Sequence, residues 1–206
     1  MSESHAQAIW PPYEAFYIRS MLFNAESAAR SVLQVNAVMH VVMENSPEDP
    51  VSALPTQYLL TELQNIIVQA GALSRYFWPV RSAHEWRGAQ LRKAFCISED
   101  SPLRSRDLRN AIEHFDEKLD RYLENGVVGQ VLPEFVGLSR EPEGVPVHLF
   151  RAYYVDTGNF ELLGKRYEVQ PLATEVTRIH EQLKKMDGEG GRLQQRDAKK
   201  KKRPDR

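Results

Sequence analysis

Four side chains between Arg106 and His114 are of types that act on phosphate esters: Arg106, Arg109, Asn110 and His114. Histidine titrates near neutrality and can take or return a proton at a reacting oxygen. Arginine carries a permanent planar charge that grips phosphate oxygens in pairs. Asparagine can orient either group, since residues four apart on a helix are neighbours. Set Leu108 at zero on a helical wheel. The stem of Arg104, Ile112, Phe115, Leu119 and Tyr122 then fall within about 40° of it. Arg106 falls at about 160°, Asn110 at about 200° and His114 at about 240°, while Arg109 sits on the shoulder at about 100°. His114 is therefore expected to face away from the packing seam. On one unbroken rod Arg109 and His114 diverge by about 140°, so one helix does not easily close both around a phosphate. A two-fold dimer with facing motif helices would supply the missing half.

These residues need a scaffold, and the pattern around them is helical. Tyr13 to about Glu44 contains neither Gly nor Pro and is dense in apolar residues: Phe16, Leu22, Ala25, Ala29, Val32, Leu33, Val38, Val41 and Val42. That predicts a long helix with a broad buried face. A second helix starts near Pro55 with the bundle seam Leu59, Leu63, Ile66, Ala70, Leu73 and Phe77, and Pro79 ends or kinks it. His84 to Ile97 reads as helical again. Pro102 suits the first position of the motif helix, and Asn125-Gly126 stops it. Residues 127–144 read as a linker. Residues 145–155 and 160–169 are rich in β-formers and flank Asp156-Thr157-Gly158-Asn159, which predicts an antiparallel hairpin. Pro171 opens a last helix with Leu172, Val176, Ile179 and Leu183 on one side. The expected fold is mainly α: an antiparallel helical bundle over 13–126 after a lead-in over 1–12. A β-hairpin with a C-terminal helix follows over 145–187, then a disordered basic tail over 188–206.

The string Arg109-Asn110-Ala111-Ile112-Glu113-His114 is an Arg-Asn-x3-His match on a late helix of an all-α bundle. It resembles the HEPN domain superfamily (higher eukaryote and prokaryote nucleotide-binding), whose hallmark is Arg, a polar residue, then His four to six positions on. The wider string RDLRNAIEHFDEKLD also resembles bacterial proteins carrying an RNxxEHFDE-type helix. With 18 Arg, 7 Asn and 6 His in the chain, the strict spacing arises by chance about 0.02 times. The resemblance spans residues 13–125 and implies a helical bundle that dimerises. It implies a metal-independent endoribonuclease of the kind found among toxins and anti-phage effectors, although other members lack catalysis. On this reading His114 is the general acid/base and Arg109 the transition-state phosphate ligand, with Asn110 or Arg106 positioning. Arg104 and Arg92 would extend the RNA contact. No cofactor or metal is implied, and the expected partners are RNA, a second copy and an antitoxin or other protein.

Composition narrows the alternatives. The chain has 206 residues, 42% hydrophobic and 27% charged, with a net charge of -1. Residues 192–206 hold 8 Lys/Arg against 2 Asp/Glu, so the remainder is acidic and the protein is not a globally basic nucleic-acid binder. No apolar run approaches the roughly 18 residues of a bilayer span. The start MSESHAQAIWPPY has no basic region or apolar signal core, so a cytoplasmic location without membrane attachment is expected. A single cysteine excludes an internal disulfide framework, and Cys96 reads as a buried small apolar residue. His84-Glu85 lacks the second histidine of a zincin, and no phosphate loop or dinucleotide fingerprint is present. His40 and His148 read as structural, and His180 as a surface residue. Residues 75–109 carry eight basic and four acidic side chains interleaved with Tyr76, Phe77, Trp78 and Trp86. They read either as an RNA track or as a bundle edge with core aromatics and solvated arginines. Two rival functions stand beside the nuclease. One is a non-catalytic helical interaction module. The other is a nucleic-acid-binding protein without cleavage, using the basic segment and the tail.

Overall fold

The computed structural model describes residues 8–45, 53–139 and 144–194. The order of elements is α1 (Pro11–Asn45), α2 (Thr56–Phe77), α3 (Glu85–Ala94), α4 (Asp107–Glu113) and α5 (Phe115–Glu124). Then come β1 (Gln130–Gly137), β2 (Val147–Tyr154), β3 (Asn159–Leu162), β4 (Lys165–Glu168) and α6 (Gln170–Gly188). Short 3-10 turns at Ser82–His84 and Pro102–Arg104 precede α3 and α4. The chain is mainly helical, with one small mixed sheet.

Helix α1 runs antiparallel to α2, as the hydrogen bonds Tyr58 to Gln34, Asn65 to Ser31 and Ser20 to Tyr76 show. All six seam residues expected in α2 are buried. The core has two centres along this pair. At one, Ile18, Met21 and Ala25 of α1 meet Leu73, Phe77, Leu91 and Phe95, with Val176, Ile179 and Leu183 of α6 completing the packing. At the other, Val35, Leu63, Ile66 and Ile67 meet Ala111, Val136, Phe160 and Leu162. The last helix is thus part of the bundle core, not an appendage. Truncating Phe77 or Leu73 to alanine in such an interior costs about 2–5 kcal/mol.

The expected broad face of α1 needs correction. Ala25 and Ala29 are buried, but Phe16, Leu33 and Val41 are 70%, 67% and 54% exposed. Among the described residues α2 and α6 are the main elements packed along α1, and they cover less than its apolar circumference.

The β region also differs from expectation. Residues 127–144 are not only a linker, because they contain β1, which pairs parallel to β2. The hairpin is the middle of a four-stranded sheet ordered β1-β2-β3-β4. Its second strand is split where Leu162 pairs with Lys165. Leu163 and Gly164 take φ of 49° and 82° there, as a two-residue type I′ turn requires. Glycine adopts that conformation without penalty and leucine does not, so Gly164 is the one residue of the pair that signals the turn. Of the expected tail, residues to 188 belong to α6, and 195–206, with the KKKKR run, lie outside the described residues.

Cys96 is exposed, not buried. It follows α3 at φ 52°, with Ile97 N–H bonded to Arg92 O at 2.9 Å, so the left-handed helix stop turns its side chain outward. His40 is also exposed, with Nδ1 3.5 Å from Glu44. His180, expected at the surface, has a side chain only 14% exposed.

Two carboxylates tie together segments far apart in the sequence. Glu14 is 5% exposed, and its Oε2 accepts from Arg192 Nε and Leu193 N, each at 2.8 Å. Charge-assisted bonds of this kind are worth about 1.5–3 kcal/mol. Glu14→Ala is expected to lower stability by that order and to release Leu193, read as faster exchange of its amide. Glu175 accepts from Arg178 Nε and NH2 at 2.7 and 2.8 Å and from Ser101 Oγ at 3.2 Å. The Arg178 hydrogen bonds hold its carboxyl below the usual glutamate range, against burial, which raises it. A depressed carboxyl contributes stability above its unfolded pKa and loses it as pH falls through the folded value. Glu175→Gln is therefore expected to show a smaller fall in Tm between about pH 6 and pH 3 than the parent chain.

Candidate active site

The motif does not lie on one continuous rod. After Arg106, α4 runs for seven residues and stops at His114, which takes φ -116° and ψ 39°; α5 begins at Phe115. The break falls where the packing partner changes. Helix α4 rests on α2 through the fully covered Ala111. Helix α5 has no fully buried residue and leans its half-covered face on the sheet. Arg151 of β2 stacks over the Phe115 ring at 4.1 Å, and Tyr122 OH bonds His148 Nδ1 at 2.6 Å. His148 also bonds Val128 O at 3.1 Å, a structural role as expected.

Arg109 lies deeper than its shoulder position implied, with its side chain 12% exposed. Its stem crosses α2 at Gly71, where an added Cβ would come 2.3 Å from Arg109 Cδ. Only a glycine leaves room for that crossing. The guanidinium NH2 donates to Asn110 Oδ1 at 2.7 Å. Nε lies 3.3 Å from Glu113 Oε2, an ion pair by distance, yet it is poorly aligned and the buried Nε makes no hydrogen bond. The other Glu113 oxygen accepts from Arg75 NH2 at 3.0 Å. Burial pushes the Arg109 pKa down, Glu113 pulls it up, and Arg75 and Arg106 push it down again. Arg75 and Arg109 thus share one carboxylate, and with the Arg106 charge also acting on Arg109 there is a local surplus of positive charge beside the motif. Such a surplus favours an anion.

The remaining expected contacts are placed differently. Arg106 NH2 donates to Trp78 O at 3.1 Å, Arg92 NH1 donates to Phe77 O, and Arg87 NH2 donates to Arg75 O at 3.1 Å. These three arginines satisfy carbonyls at the C-terminal end of α2, where the helix dipole favours cations. Arg104 and Arg92 both pair with Glu99, at 3.0 and 3.4 Å. Arg106 therefore stays near Arg109, while Arg92 and Arg104 gather around Glu99. The aromatics of this segment are bundle residues: Phe77 is buried, and Tyr76, Trp78 and Trp86 pack against the core. In the sequence Arg75 stands only among the eight basic residues of 75–109, and Glu113 and Gly71 carry no sign of a role in the site. Their partners lie 38 residues apart in the chain, and no local pattern reports such a pairing.

His114 is accessible, its side chain 56% exposed, with Nδ1 3.3 Å from Glu117 Oε1. Glu117 also reaches Arg121 at 3.9 Å. Behind the motif, Arg109 borders a cleft of about 260 Å³ whose walls include Ile67, Ser105, Leu108 and Tyr167. Burial raises the Tyr167 phenol pKa there. Among the described residues, no three His, Cys, Asp or Glu side chains are grouped to hold a metal ion. Among the same residues, no helix is long and apolar enough to cross a membrane. Compared with family models, curated proteins and solved structures, the chain matches none.

Proposed function

We propose that this chain is a HEPN-type endoribonuclease that cuts RNA without a metal ion. The observation that carries the reading is the pair Arg75 and Arg109 on the single carboxylate of Glu113, with the Arg106 charge acting on Arg109 and an accessible His114 at the next position of the chain. A phosphodiester seated on the guanidinium surplus is polarised by Arg109, with Asn110 fixing the fork. His114 takes the proton from the 2′-hydroxyl as its oxygen bonds to phosphorus. The 5′-oxygen leaves and takes a proton from water, giving a cyclic phosphate and a free 5′-hydroxyl. The substrate class is cytoplasmic RNA, in a toxin–antitoxin or anti-phage setting.

The second reading is a non-catalytic interaction module. It is favoured by the arginines at the end of α2, whose bonds to Arg75, Phe77 and Trp78 carbonyls explain their presence without any substrate. Incubating the purified chain with total RNA in EDTA separates the two. The nuclease reading expects fragments ending in cyclic phosphate, and intact RNA at high protein concentration leaves the module.

A further inference from the structure

Between α2 and the sheet lies a polar cavity of about 330 Å³. Its floor is one stripe of α2, formed by Gln57, Thr61, Gln64 and Val68 at helical spacings of four, three and four. Its wall is Glu134 of β1 and Arg151 of β2. These two stand opposite each other in the parallel register, so both side chains leave the same face of the sheet. Two turns further along α2, the same stripe reaches Arg75, whose NH2 donates to Glu113. The wall also meets the motif, because the Arg151 guanidinium lies over the ring of Phe115, the residue after His114. The cavity therefore adjoins the cleavage site proposed above without being part of it.

Opposite charges on neighbouring strands commonly pair, yet these two do not. Among the described residues the Glu134 carboxylate joins no hydrogen bond or ion pair, and the Arg151 guanidinium has no partner but the Phe115 ring. A fork of donors and a free carboxylate thus stand side by side at one wall. One nucleobase matches both. Guanine presents two acceptors, N7 and O6, which arginine takes as a pair. Next to them on the same ring system are two donors, N1–H and the 2-amino group, which a carboxylate takes as a pair. Adenine sets an amino donor where the arginine needs an acceptor, and the pyrimidines have no N7. The Phe115 ring holds the guanidinium plane, so less freedom is lost when the fork engages.

We propose that this cavity takes a guanine base of single-stranded RNA, with Arg151 donating to N7 and O6 and Glu134 accepting from N1–H and the 2-amino group. As the place of the base beside the scissile phosphate it rests on the nuclease reading, but base binding is measured whether or not RNA is cut. The probe is a fluorescently labelled 2′-fluoro-uridine octamer, which lacks the attacking 2′-hydroxyl, and the readout is its anisotropy with the full chain. One central guanosine should tighten binding about tenfold over a central adenosine, the usual worth of a bidentate base contact. Arg151→Lys keeps the charge and loses the fork. It should bring the two octamers to equal affinity while the adenosine octamer binds as before, a pattern that simple charge attraction does not give. Glu134→Ala should erase the difference between guanosine and inosine, which lacks the 2-amino group. No binding, equal binding of the guanosine and adenosine octamers, or a guanosine preference untouched by both variants would overturn the guanine site. The nuclease reading fails separately, by intact RNA in EDTA, and a guanosine preference beside intact RNA keeps the site in a chain that binds without cutting.

Discussion

Replacing His114 with alanine is expected to lower RNA cleavage in chelator by about 10²–10⁴-fold, the usual contribution of a positioned acid or base. The fold should not notice. His114 is more than half exposed, and its one polar neighbour, Glu117, retains Arg121. Stability should therefore stay within about 0.5 kcal/mol of the parent. Arg109 requires a subtler change. Arg109→Ala would empty the crossing over Gly71 and leave Glu113 to Arg75 alone, so lost activity could reflect lost packing. Arg109→Lys keeps the charge and an aliphatic stem but removes the planar fork that grips two phosphate oxygens. Its cleavage should fall by about 10²–10³-fold with the melting temperature nearly retained. Full cleavage by both variants would remove the site from the chemistry and leave the interaction module.

The legible parts of this molecule are those with strong local periodicity. The α2 seam repeats every three or four residues from Leu59 to Phe77, and every member is buried. The stripe of α6 reads equally well because Val176, Ile179 and Leu183 all enter one core. What failed depended on partners. The α1 pattern could not say which apolar residues its two neighbours would cover, and Phe16 was counted inward when it points out. Strand β1 contains Pro133 and is exposed along most of its length, so it lacks the alternation that identifies a half-buried strand. Of the candidate site, the accessibility of His114 followed from the wheel. The depth of Arg109 did not, because it is set by a glycine 38 residues earlier.

That glycine supplies the second large effect. Gly71→Ala would bring a methyl group to 2.3 Å from Arg109 Cδ and 2.7 Å from its Cγ. On the exposed surface of a helix this exchange stabilises by up to about 1 kcal/mol. Inside a helix crossing, overpacking costs about 1–3 kcal/mol. The clash is with the middle of a side chain whose distal end is tied to Asn110 and Glu113, so it cannot swing clear without breaking those contacts. A net loss of stability is expected and, on the nuclease reading, lower cleavage through the displaced Arg109. A double-mutant cycle reads the cause. In an Arg109→Ala background the methyl group has free space, and Gly71→Ala should become neutral or stabilising. If the substitution is equally damaging in both backgrounds, α4 does not depend on this crossing, and Arg109 is held in place by Glu113 and Asn110 alone.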